Sequence, residues 1–144
     1  MLGCVGMITG CNGDDGGDDD GALPECIEFD ATACAPLYQP TYANVFAQTL
    51  QPDCATGGGA CHANPDALGA AEHGLFFTEA SQTHALLLDD LGDDTFVRPG
   101  DASCGVMTVR LRTEDDLLRM PTGSMLLDTE LCSVLQWIDA GANP

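Results

Sequence analysis

Cys54, Cys61 and His62 are the residues of this chain best equipped for chemistry: two thiols with six residues between them and an imidazole directly behind the second, in the stretch CATGGGACHANP. Such a set can ligate a soft divalent metal, close a disulfide, or offer two thiols and an axial imidazole to a haem. Zinc fits poorly, because adjacent Cys and His side chains rarely aim at one tetrahedral ion and no fourth ligand stands at the usual spacing. A Cys-His nucleophile would need an activating third group, and the sequence supplies none nearby. The haem motif proper places two residues between the cysteines. The longer loop can still bring both thiols to one ring edge by bulging outward, and Gly57-Gly58-Gly59 gives the backbone that freedom. Haem attachment and a plain disulfide therefore both stay open for Cys54 and Cys61.

A haem held by His62 needs a second axial ligand, and Met120, followed by Pro121, is a soft donor placed well downstream. The alternative for Met120 is a core methionine like Met107 or Met125. His73 and His84 are further imidazoles, His84 on an expected helix where a hydrogen-bonded structural role is the commoner one. Among the carboxylates, Asp89-Asp90, Asp93-Asp94 and Glu114-Asp115-Asp116 read as solvated loop charge, with spacing unlike a helix-loop-helix calcium site. No acid, base and nucleophile converge, so an enzyme is not expected.

The elements that must position these residues are helices. Thr41 is a candidate N-cap for a helix over about 42–50 that Pro52 should stop, with Tyr42, Val45, Phe46 and Leu50 at helical spacing. A second run follows Thr78-Glu79 through Leu88. A third, capped by Ser103, reaches Arg112 with Cys104, Met107 and Leu111 on one face. In the last, Asp128 and Glu130 sit at the positive end, Leu131, Val134, Leu135 and Ile138 form a stripe, and Gly141 ends it. Nothing alternates like a strand. The prediction is a small all-α domain of three to five short helices, with loops over 54–76 and 113–127 longer than a compact bundle needs.

The order of a first helix, Cys54…Cys61-His62, internal helices, Met120-Pro121 and a C-terminal helix bearing Trp137-Ile138 resembles the class I cytochromes c over residues 41–142. RPGDASC…RMP…TELCSVLQWIDAGA, from Arg98 to Ala142, is similar to the C-terminal half of cytochrome c-like domains of secreted bacterial lipoproteins. The resemblance implies haem c, with thioethers on Cys54 and Cys61, His62 as proximal and Met120 as distal ligand, and electron transfer to a partner protein. It also implies an apolar pocket lined by residues such as Leu75, Phe76, Phe77 and Leu117. A haem-free, disulfide-stapled structural or binding module of the same fold is the alternative.

Composition sets the context. The 144 residues carry 23 acidic side chains against four arginines and no lysine, a formal net charge of −19. That excludes nucleic acid as a natural partner and is compatible with a basic docking protein. Eight cysteines point to an oxidising compartment. Residues 1–11 resemble the end of a bacterial lipoprotein signal, with Ile8-Thr9-Gly10 before a lipid-accepting Cys11. The Asp- and Gly-rich residues 12–25 read as a disordered acidic tether, and 26–144 as the folded domain. This predicts a periplasmic or cell-surface protein held at the outer membrane through the lipid alone. Of the remaining cysteines, Cys104 is expected to pair with Cys132, and Cys26 with Cys34.

Overall fold

A computed structural model of the chain describes residues 26–55, 61–91 and 95–144. The expected signal, Cys11 and the acidic tether lie outside these residues. Within them the fold is helical, and the one pairing of extended backbone is an isolated bridge between Cys26 and Cys104.

Helix α1, Tyr42–Val45, starts where the sequence predicts: the Thr41 side chain accepts from the Asn44 N–H. It does not stop at Pro52. The chain continues as a π-helix over Phe46–Ala55, whose wider turn carries it past a proline ring that would strike the carbonyl four residues back in an α-helix. Helix α2, Leu68–His73, lies inside the expected 54–76 loop. Six residues with a single exposed leucine at the start give too little periodicity to be read from sequence. Helix α3 covers Ala80–Leu87, close to the predicted run.

Helix α4, Val106–Arg112, begins later than predicted, and Ser103 does not cap it. Its first amides donate instead to backbone carbonyls, Val106 to Thr95 at 3.2 Å and Met107 to Phe96 at 3.0 Å. That arrangement brings the 95–96 strand of chain so close that a Cβ at Gly105, φ 104°, would lie 2.9 Å from the Phe96 carbonyl. Glycine is therefore required where the sequence suggested a serine cap upstream. Helix α5, Asp128–Asp139, matches its prediction from the acidic first turn to the terminus before Gly141.

The core gathers against α5. Val134, Leu135 and Ile138 are fully buried, and Val45, Leu50, Leu87 and Val97 meet them from the other elements. Tyr42, His84 and Trp137 stack beside them, with Tyr42 and Trp137 ring centres 5.4 Å apart. His84 takes the structural role: its Nε2 donates to the Ala142 carbonyl at 2.8 Å, and the Trp137 indole donates to the Asn143 carbonyl at 2.9 Å. These two bonds tie the C-terminal residues to α3 and α5.

Disulfides hold the N-terminal segment across this core, but with partners exchanged. Cys26 bonds Cys104, and Cys34 bonds Cys132. The expected pairing placed Cys104 on the inward face of a helix; it lies before α4 instead, where the Ile27 amide donates to the Ser103 carbonyl at 2.8 Å and brings Cys26 alongside. Residues 31–38 then run along α5. Ser133, wholly buried, accepts from the Leu37 amide at 2.9 Å, and the Gln136 side chain donates to the Ala31 carbonyl at 2.8 Å, which brings Cys34 to Cys132.

Candidate functional site

His62 is held on three sides by the chain that returns after α2. Its Nδ1 lies 2.7 Å from the Leu75 carbonyl. A carbonyl only accepts, so Nδ1 carries a proton and donates it. The Phe77 amide donates to the His62 carbonyl at 2.9 Å, and the Phe77 ring meets the imidazole edge-on, ring centres 5.2 Å apart. One residue on, the Thr78 hydroxyl donates to the Ala63 carbonyl. Leu75 and Phe77 are both buried, so this clamp belongs to the core rather than to a loose loop. Holding one ring nitrogen to a carbonyl is how proteins fix the orientation of a metal-binding imidazole.

Cys54 and Cys61 are not bonded to each other. Cys54 is an unpaired thiol near the end of the π-helix, half-buried and packed against the core. Cys61 is disulfide-bonded. A third disulfide joining this pair, one of the sequence expectations, is thereby corrected; the π-helix carries Cys54 to the N-terminus of α5, where its neighbours are acidic.

Those neighbours form a polar group that sequence reasoning missed. Glu130, 8 % exposed, accepts from the hydroxyl of Thr49 at 2.7 Å, and Thr49 is wholly buried. Thr49 has one proton and gives it to Glu130, so the Tyr38 phenol, 2.5 Å away, is the donor in its bond to Thr49. Glu130 also shares a hydrogen bond with Asp53 and accepts from the Leu127 amide, the return half of a capping box at the start of α5. Loss of water and the Asp53 charge raise the Glu130 carboxyl above its ordinary range. Burial first, then Asp53 and Glu130, push the Cys54 thiol up to about 12, so Cys54 stays protonated. Burial likewise raises Tyr38. Only the helix-start position of Glu130 was visible in the sequence; its inward turn depends on the fold.

Met120 is placed by α4. It is half-buried, and its amide donates to the Arg110 carbonyl at 2.9 Å ahead of a cis Met120–Pro121 peptide. Of the apolar residues expected around a haem, Leu75 and Phe77 are buried and Phe76 half-buried, but Leu117 is 83 % exposed on the turn 115–118 and lines nothing. The acidic Asp89-Asp90 and Glu114-Asp115-Asp116 are exposed. Among the described residues no three His, Cys, Asp or Glu side chains are grouped to hold a metal ion, and no helix is long and apolar enough to cross a membrane.

No protein-family model, no curated protein and no solved structure matches the chain.

Proposed function

We propose that the domain binds a c-type haem and passes electrons to a protein partner at the bacterial cell envelope. The carrying observation is the clamp on His62: with Nδ1–H given to the Leu75 carbonyl, Nε2 of the neutral ring is the nitrogen that would ligate iron. In this reading His62 would supply the imidazole and Cys54 one of the two thiols. Cys61 joins them only as a thiol, so its disulfide must be open when attachment occurs. Met120 would supply the thioether donor. The haem supplies reversible one-electron chemistry, which a neutral imidazole and thioether pair biases toward the ferrous form. Leu75 and Phe77 keep water from the imidazole, and the chain acts as a carrier rather than an enzyme. The excess of acid over base suits a basic redox partner, and a lipid on Cys11 would hold the domain at the outer membrane, on its periplasmic or surface side.

The test is expression with cytochrome maturation in an oxidising compartment. A Soret band, covalent haem on a denaturing gel and loss of both in His62→Ala are expected; a colourless folded protein would end the reading.

A second reading has its own observation. With Cys61 oxidised and the N-terminal segment stapled by Cys26–Cys104 and Cys34–Cys132, the domain is a haem-free structural or binding module of an envelope lipoprotein. Intact mass decides: two hydrogens lost per disulfide and no added haem mass support it.

A further inference from the structure

We infer that Gly69 is a positioning residue for His62, and that the lack of a side chain there is what lets α2 hold the imidazole against the Leu75 carbonyl. The inference deepens the haem reading and borrows its choice of His62 as ligand. A Cβ on Gly69 would stand 2.5 Å from the Cys61 carbonyl oxygen, 3.2 Å from its carbon and 3.3 Å from Cε1 of His62. Two of those atoms are backbone, so the Cys61-His62 peptide and the first turn of α2 would have to part. Leu75, two residues past the end of α2, accepts from Nδ1 of His62, and its carbonyl would move with the helix. Gly69 is not needed for its backbone angles, since it lies outside the left-handed region that requires glycine at its neighbour Gly74. Alanine is also the better helix former. Propensity alone would therefore make Gly69→Ala beneficial, and any loss must come from contact with residues 61–62.

The experiment is read on protein without haem. Nitrogen-15 shifts of the His62 ring report its tautomer in the native chain, in Gly69→Ala and in Leu68→Gly, which weakens α2 at a neighbour that is 65 % exposed. The native chain and Leu68→Gly should show Nδ1–H alone, and Gly69→Ala a mixture of both tautomers, with the near-ultraviolet signal of Trp137 kept in all three. A single Nδ1–H tautomer in Gly69→Ala would overturn the inference. So would equal loss in both variants, or loss of the Trp137 signal in Gly69→Ala, since each would make the glycine a general requirement of the fold. If haem never attaches, the proposed function fails while the tautomer result stands by itself.

Discussion

Removing one disulfide by Cys34→Ala with Cys132→Ala should destabilise the domain by about 4 kcal/mol, because of how the two bridges cross. Taken singly, loops of 78 and 98 residues restrict the unfolded chain by about 4.5 and 4.7 kcal/mol. They are not independent. Once Cys26–Cys104 is closed, the short route from Cys34 to Cys132 runs back through that bridge, an effective loop of about 36 residues worth about 3.8 kcal/mol. By the same argument Cys26→Ala with Cys104→Ala costs the same, and loss of both pairs approaches the whole stability of a domain this size. The pairing expected from sequence would behave differently. Two separate loops of about 8 and 28 residues are worth about 2.5 and 3.6 kcal/mol, unequal and simply additive. Urea unfolding of the native chain and the two double variants measures these differences. Connectivity is read from unreduced digests, since Asp30 separates Cys26 from Cys34 and Arg110, Arg112 and Arg119 separate Cys104 from Cys132. A cost under 2 kcal/mol for either variant, or recovery of Cys26 linked to Cys34, would refute the reasoning.

Thr49→Val should cost about 1–3 kcal/mol in urea unfolding, because it keeps the buried shape but strips Glu130 of a donor and Tyr38 of an acceptor; Thr49→Ser should recover most of it. Glu130 has a raised folded value, so its contribution is fully present below its ordinary 4.5 and is lost as pH rises through the folded value. The native chain should accordingly gain on Glu130→Gln between pH 7 and pH 4, and a difference running the other way would contradict the burial argument. Cys54, with its thiol pushed up to about 12, should alkylate slowly at pH 8 in the folded, haem-free protein and rapidly in urea, as followed by mass.

The helices that could be read from sequence were those with a long amphipathic stripe or a local cap. α5 carries both an acidic start and four apolar residues on one face, and Thr41 announces α1 through a bond three residues away. What failed depended on distant chain. The π-helix passes Pro52 because Thr49 and Leu50 are held in the core, and α4 starts on carbonyls from residues 95 and 96 instead of on Ser103. The disulfide partners were misjudged for the same reason: helical periodicity said which face Cys132 occupies but nothing about residues 31–38 lying along it. At the site, the Cys-His stretch was plain from residue types alone. The Leu75 carbonyl was not, because a backbone acceptor thirteen residues downstream leaves no mark on composition.

The two readings of this domain come down to one sulphur. Addition of the Cys61 thiol to a vinyl group and oxidation of the same thiol to a disulfide each consume it, so the two products exclude one another. Cys54 differs, because burial and two acidic neighbours keep it protonated and unpaired while the other described cysteines are oxidised. A thiol with so little thiolate character attacks disulfides slowly, which protects Cys54 from exchange. On that argument the acidic cluster at the start of α5 keeps Cys54 a thiol in either reading, and Cys61 is the cysteine whose state separates them.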